Sequence, residues 1–420
     1  LPPKKTRLDT NSLMDAIKEA GLTQKAVVDN KSDLSLLDYK ERVSVLGFLG
    51  RPVDKTDTYD SLSTIAFALR NSSFQEMKIL STPPGSDTLF PVVDTKDIFV
   101  RQAYKDLYDE VSLKFQDSPM NMARKRVVVT GTSGIGKSAF LVYFTIRLLT
   151  TSSDDNPPIV IFQEKGGSKC YVYGRLSTLR YGDIEDFRPF LNLPETWYLV
   201  DSSPNPLLVR AKTIISVSPK TLYSEMNQYQ EIDKRVPWRY YMAPWTLEEL
   251  EQCRSGVEGF KVIPKNLMEE LYGMIGGVPR YVLEKPMDVL NLNPSNTAGA
   301  KKSACARVWQ AIDFVRAPLR MMQCFEGKES LEYSSRLLHR WPTDGHEGFH
   351  LEWASAYIAN KIGESLQDVT WQQILEKLTG VNVGTAKGPM FELYVRHIFR
   401  KGGYEFQIKE LQDGTDITFK

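Results

Sequence analysis

Residues 127–138 read VVVTGTSGIGKS, an apolar β-branched run that breaks into a glycine-rich loop and ends in Gly-Lys-Ser ahead of a helical pattern. Few short sequences restrict a fold as strongly. The spacing from Gly131 through four residues to Gly136-Lys137-Ser138 lets successive backbone N–H groups curl around a polyphosphate. The helix that follows turns its positive end toward the same charge. VVVT reads as a buried parallel strand, and SAFLVYFTIRLL carries apolar residues at helical spacing, so the motif sits in the strand–loop–helix setting it requires. Gly131, Thr132, Ser133, Gly134, Ile135, Gly136, Lys137, Ser138 and Ala139 are therefore the expected phosphate cradle. Gly136 allows close approach, Lys137 reaches the outer phosphates as a point charge, and the Ser138 hydroxyl is suited to ligate Mg²⁺. A glycine turn before a core helix is the structural alternative.

Phosphate binding alone is not hydrolysis, which also needs a metal and an oriented water, so an acidic residue should end a strand downstream. WYLVD provides Asp201 after a hydrophobic run, as a metal-holding carboxylate or a strand-terminal cap. Ser202 follows it, where many such ATPases carry a catalytic glutamate. Glu164 closes IVIFQE on the strand after the Gly-Lys-Ser helix and is the substitute water-activating acid, with a solvated loop carboxylate as the competing reading. Ser216 or Ser218, at the end of TIISVS, senses the outer phosphate or merely ends a strand. Further on, GGVPRYVLE (276–284) is either a helix end and restart or a lid element in which Pro279 packs on the nucleotide and Arg280 approaches its phosphates.

The chain has 420 residues, more than one core usually holds, and a net charge of +1 that gives no global drive toward nucleic acid or membrane. No apolar run approaches a bilayer-spanning length, so no membrane insertion is expected. Cys170, Cys253, Cys305 and Cys324 are too scattered for a zinc site or a disulfide framework, and His339, His346 and His350 read as ordinary strand and turn histidines. The basic runs PPKKTR and ARKR read as a solvated terminus and a strand entry. Strands alternating with helices predict an α/β fold: a three-layer P-loop NTPase with a mainly parallel sheet whose ligands collect at the strands' carboxyl ends. The predicted divisions are an N-terminal module over 1–90 closing in the turn-rich STPPGSDTLF, and the NTPase core over 91–240. A helical lid follows over 241–290, then a helical, winged-helix-like region over 291–385 built on a hairpin and a helix. A further C-terminal module begins at 386–420. The chain opens Leu1-Pro2-Pro3 and stops in DITFK, which reads as a piece of a longer protein.

In order, FVRQAYKDLYDEV, VVVTGTSGIGKSAFLVYF, WYLVD, YYMAPWTLEELEQCR and GGVPRYVLE resemble the ATPase module of Crinkler-type effectors and the related retrotransposon hot spot proteins, over about residues 95–400. The resemblance implies a STAND/AAA+-like core that binds ATP. It places Arg101 of the FVR element by the base and Gly277-Val278-Pro279 against the nucleotide from the lid. It also implies an effector delivered by an oomycete or fungal microbe into host cells and often to the nucleus, with a host nuclear protein or DNA as partner and oligomerisation on nucleotide binding. The family's usual ubiquitin-like translocation header is not visible in residues 1–90. KGPMFELYVRHIFRKGGYEFQIKEL resembles the opening of restriction-endonuclease-like domains, with Glu392 matching the helix acid. Asp413, Asp416 and Lys420 do not complete a nuclease site, so cleavage is not expected.

The sequence thus predicts a Mg²⁺-dependent ATPase with Lys137, Asp201 and Glu164 as catalytic residues and Ser138 and Asp201 on the metal. Two alternatives stand beside it: a switch that binds nucleotide without turning it over, and a DNA-binding or nuclease effector positioned by its ATPase module.

Overall fold

In a computed structural model of the chain, the described residues are 13–419 except 30, 71–75, 84, 86, 118–125, 152–157, 176–177, 204, 223–228, 236, 316–335, 367, 380–386, 403–405 and 410–415. PPKKTR, most of ARKR and of the loop 150–158, Cys324, Asp413 and Lys420 fall outside them. The chain divides into two compact units, 1–242 with 252–261, and 243–251 with 262–420.

The first unit opens with short helices α1 (Leu13–Glu19), α2 (Thr23–Ala26) and α3 (Tyr39–Leu46), with a two-residue ladder of β1 (Val27–Val28) and β2 (Lys31–Ser32) between the last two. Asp38 caps α3 through a reciprocal box with Glu41, which fixes where this helix starts. Next come β3 (Arg51–Pro52), α4 (Asp60–Leu69), the hairpin β4 (Ile79–Ser81) and β5 (Asp97–Phe99), and α5 (Gln102–Asp117). The strand β6 (Arg126–Gly131) then leads through the glycine loop into α6 (Lys137–Thr151). The sheet continues with β7 (Val160–Gln163), β8 (Lys169–Arg175), β9 (Thr178–Asp183), β10 (Trp197–Asp201), β11 (Lys212–Ser216) and β12 (Trp238–Met242), with short helices α7 (Arg188–Leu191) before β10 and α8 (Pro219–Leu222) and α9 (Tyr229–Asp233) before β12.

One eight-stranded sheet runs β12-β6-β11-β10-β7-β8-β9-β3. Its first five strands are parallel; β8, β9 and β3 extend it antiparallel. The α/β class with a mostly parallel sheet is as the sequence predicts, and the apolar runs VVVT, IVIFQ, WYLV and TIISV are buried throughout, as strands covered on both faces must be. On one face, Val128, Ile161, Tyr198, Val200 and Ile215 share a core with Ala16, Ile17, Ala26, Leu34, Leu37, Leu46 and Leu49. On the other, Phe144 of α6 and Phe115 of α5 close on Trp197, and α4 packs along α6. Residues between Ala16 and Leu49 therefore share a core with one face of the sheet, and Arg51–Pro52 is its edge strand.

The second unit contains helices α10 (Leu247–Gly256, whose first residues belong here), α11 (Lys265–Ile275), α12 (Lys285–Leu292) and α13 (Thr297–Val315). They are followed by the antiparallel hairpin of β13 (Leu338–Pro342) and β14 (Phe349–Trp353), and by α14 (Ala356–Ser365), α15 (Asp368–Thr379) and α16 (Lys387–Lys401). A last hairpin pairs β15 (Phe406–Lys409) with β16 (Asp416–Phe419). Ser355 caps α14 by accepting from the Ile358 N–H, and its hydroxyl donates to the Met274 carbonyl at the end of α11. Among the described residues no helix is long and apolar enough to cross a membrane.

Candidate functional site

The site is assembled at the carboxyl ends of β6, β10, β11 and β7. Gly131 ends β6 at φ 141, and Gly134 and Gly136 follow at φ 86 and 95, backbone that L side chains avoid. A Cβ on Gly131 would lie 2.6 Å from the Met242 carbonyl oxygen of the adjacent strand, and one on Gly136 would lie 2.2 Å from the Tyr104 hydroxyl. Tyr104 Oη donates to the Gly136 carbonyl at 2.8 Å, so α5 braces the loop from behind. Arg101, buried just before α5, stands three residues from that brace, and its carbonyl accepts from the Tyr104 N–H.

Lys137 begins α6 and is buried; its ammonium donates to the carbonyls of Gly131 at 3.1 Å and Thr132 at 2.9 Å, which folds the side chain back over the loop. Ser138 Oγ donates to Asp201 Oδ1 at 2.8 Å. That bond spans from the first turn of α6 to the end of β10, so a motif at the start of a helix meets an acid 63 residues later. Asp201 is 1% exposed and its Oδ2 has no hydrogen-bond partner among the described residues. Burial pushes its carboxyl above the usual range, opposed by the Ser138 hydroxyl and by the charges of Lys165 and Lys137.

Sheet register places the remaining groups. Asp201 pairs with Ser216 on β11, and the Ser216 hydroxyl is likewise sealed and without a partner among the described residues. Ser218, the other candidate, accepts from the Thr221 N–H at 3.3 Å and serves as a helix cap instead. On the opposite side, Trp197 pairs with Val160 and Leu199 sits beside Phe162. The last pair of this ladder is Val200 with Gln163, so Glu164 and Asp201 each follow it by one residue, and the period of two assigns both to the face of Phe162 and Leu199. Glu164 is half-buried, and burial together with the Asp57 charge raises its carboxyl. Immediately after Asp201, Ser202 has φ 51 and its N–H donates to the Ser216 carbonyl at 2.8 Å, local strain held by the neighbouring strand.

These features test the fit of a phosphate and a divalent cation. Two sealed oxygens without partners among the described residues, a desolvated carboxylate bonded to a hydroxyl, an ammonium and a loop closed to a Cβ at Gly131 and Gly136 make a donor set in which Ser138 and Asp201 suit a hard cation and Lys137 suits phosphate. The sequence missed Tyr104, whose spacing in FVRQAY signalled only a core-facing helix.

Within the second unit, Gly276 at φ 77 ends α11 and Pro279 precedes a π-helical turn, Arg280–Glu284, that runs into α12. The glycine pair is needed for packing: a Cβ on Gly277 would lie 1.8 Å from the Trp245 carbonyl oxygen, while the Gly277 carbonyl accepts from the Trp245 N–H. Arg280 is half exposed and 3.8 Å from Glu284. Glu392 accepts from Arg396 one turn along α16, at 2.7 Å. His339 is buried, His350 pairs with Glu352 and His346 occupies a turn at φ 59; no group of metal-ligating side chains occurs among the described residues.

No protein-family profile matches the chain. Two curated proteins of Phytophthora infestans are similar to it. Crinkler effector protein 16 is 24% identical over 226 residues, 52% of this chain and 33% of that protein. Crinkler effector protein 15 is 24% identical over 204 residues, 47% of this chain and 30% of that protein. The chain thus spans about a third of the length of these relatives. Among solved structures, the ORC2 protein of Aeropyrum pernix, determined as ADPNP-ADP complexes, aligns with 66% of this chain and 95% of its own at 7% identity and a TM-score of 0.34. Weak similarity to Crinkler effectors over about half the chain is the relationship these comparisons establish.

Proposed function

We propose that this chain is the Mg²⁺-dependent ATP-binding and hydrolysing part of a Crinkler-like effector that acts inside host cells. The observation that carries this is the Ser138–Asp201 hydrogen bond, with Asp201 Oδ2 sealed and unpartnered among the described residues, beside a loop whose Gly131 and Gly136 leave no room for a Cβ. Backbone N–H groups of residues 131–139 and Lys137 hold the phosphates, and Ser138 and Asp201 hold the cation. A Mg²⁺ held by Ser138 and Asp201 would supply neutralisation of the charge that builds on the phosphoryl oxygens. Glu164, whose carboxyl burial raises above its ordinary value, accepts a proton from the attacking water, and Ser216 donates to the outer phosphate. Arg101 frames the base, while Pro279 and Arg280 belong to a helical lid, with the β13–β14 hairpin and α14 as a winged-helix-like element beyond it. The resemblance to Crinkler effectors supports ATP over other nucleotides, and supports delivery to the host and its nucleus with a host protein or DNA as partner.

The test is phosphate release from ATP with Mg²⁺, run with nucleotide affinity for wild type, Lys137→Ala and Glu164→Ala. Lys137→Ala should lose binding; Glu164→Ala should bind normally and lose turnover by about 100-fold or more. A wild type that binds ATP without releasing phosphate would make the chain a nucleotide-gated switch, the reading favoured by Ser202 where a second acid would stand. DNA affinity that survives Lys137→Ala would favour an effector whose nucleic-acid contacts are independent of this site.

A further inference from the structure

Tyr59 is a buried aromatic residue from the N-terminal segment that the sequence gives no reason to single out. Every part of it except its hydroxyl is fixed. Its ring stacks on Tyr171 of β8 at 3.7 Å between centroids and 10° between planes, and meets Phe162 of β7 edge-on at 5.6 Å. Its N–H donates to Asp57 Oδ1 at 2.9 Å, its carbonyl accepts from Tyr173 Oη at 2.9 Å, and Tyr171 Oη donates to Asp57 Oδ2 at 3.2 Å. A buried tyrosine ordinarily uses its hydroxyl in a hydrogen bond. Here the hydroxyl makes none to the described residues, while neighbouring side chains hold the backbone and ring in one orientation.

The place this orientation leads to follows from register. Phe162 pairs with Tyr171 on β8 and lies beside Leu199 on β10, so the Tyr59 ring lies over the face that α6 covers. Glu164 and Asp201 leave the same face one pleat further along, and both carboxylates bear on the Tyr59 hydroxyl together with Asp57. Tyr59 also directly precedes α4, the helix packed along α6. The segment 53–59 therefore joins the edge strand β3 to a helix that lies on the glycine loop's own helix, and it delivers Tyr59 onto the sheet face at Phe162 and Tyr171.

We infer that Tyr59 is a further residue of the phosphate site, its hydroxyl donating to the terminal phosphate of the bound nucleotide. The inference rests on the nucleotide reading above. Lys137 draws phosphate toward Asp201, and the Tyr59 hydroxyl, on the sheet face that Phe162 shares with Leu199, has no acceptor among the described residues to give up. With Asp57 and Tyr171 as positioning residues, the N-terminal segment distinguishes a triphosphate from a diphosphate, a task that the loop 131–138 does not perform alone.

The experiment is equilibrium binding, without turnover, of a non-hydrolysable ATP analogue and of ADP to wild type and Tyr59→Phe, with urea unfolding of both. Phenylalanine retains the stack on Tyr171, so the unfolding midpoint should not move. A hydrogen bond to a charged acceptor is lost, so the triphosphate analogue should bind roughly 10- to 100-fold more weakly while ADP stays within about twofold. Equal weakening of both ligands, or no change in either, overturns the role of Tyr59 and leaves the nucleotide site standing. A wild type that binds neither ligand overturns both.

Discussion

Replacing Gly136 with alanine isolates the two constraints on the phosphate loop and allows them to be measured separately. At φ 95 any L residue is strained by about 1–2 kcal/mol. The new Cβ would lie 2.2 Å from the Tyr104 hydroxyl, where ordinary contact begins at 3.4 Å. Tyr104 cannot retreat cheaply, since it is 1% exposed and its ring lies 5.8 Å from Phe140 and 6.0 Å from Tyr143. Overpacking of this kind costs about 1–3 kcal/mol, so Gly136→Ala should lose about 3 kcal/mol of stability in urea unfolding. Tyr104→Phe alone should cost about 1 kcal/mol through the lost bond to the Gly136 carbonyl. It also removes the clashing atom, because the next one, Tyr104 Cζ, would be 3.5 Å from the Cβ. In the Tyr104→Phe background the alanine should therefore cost only the backbone strain, and the double mutant should be about 1–3 kcal/mol more stable than the sum of the single changes implies. Additivity within about 0.5 kcal/mol would refute the argument that the hydroxyl, rather than the backbone conformation, makes glycine necessary here.

Asp201→Asn should raise stability without ligand at neutral pH while abolishing any stabilisation by Mg²⁺-nucleotide. The folded state holds the Asp201 carboxyl above its unfolded value, so it binds the proton more tightly than the unfolded chain does, and its contribution is lost as pH rises through the raised value. Urea midpoints of wild type against Asp201→Asn at pH 5 and 7.5 read this directly, and a gap that closes as pH rises would contradict it. His339 works in the opposite direction: complete burial lowers it to about 4 from an ordinary 6.5, so its contribution is intact above pH 6.5 and lost as pH falls toward 4. That is about 3 kcal/mol at the limit, and unfolding of His339→Gln followed over pH 4–7 should lack that part of the slope. Leu46→Ala should cost about 3 kcal/mol, since Leu46 is fully buried against Gly174 of β8. The loss should appear in the main unfolding transition of the sheet; a separate early transition of the N-terminal segment would refute a shared core.

How much of this was legible follows from the range of each signal. A parallel strand covered on both faces must be apolar throughout, so VVVT, IVIFQ, WYLV and TIISV are readable one at a time, and their polar ends at Gly131, Glu164, Asp201 and Ser216 mark one end of the sheet. The choice between Ser216 and Ser218 was closed to inspection, because both share one strand face and only the pairing of Asp201 with Ser216 separates them. The first 70 residues were unreadable for another reason. Their helices are short and mixed in composition, and the partners that give Leu46 and Tyr59 meaning, Gly174 and Tyr171, lie more than 100 positions away. Local periodicity carries no trace of such distant contacts, so residues that cover the sheet looked like a separate piece of chain.

The two-residue strand β3 has a consequence for how the protein behaves at high concentration. A sheet that stopped at β9, with seven strands, would offer a row of unsatisfied amides to any extended peptide, including another copy of itself. The chain instead finishes that side with Arg51 and Pro52, paired with Tyr181 and Arg180; the proline has no N–H to offer and the arginine guanidinium lies 4.6 Å over the Tyr181 ring. An exposed charge and an imino ring are poor templates for strand addition, so this border resists fibril-like stacking. Trimming the chain between residues 50 and 53 would uncover β9, and should convert a well-behaved protein into one that self-associates through its backbone.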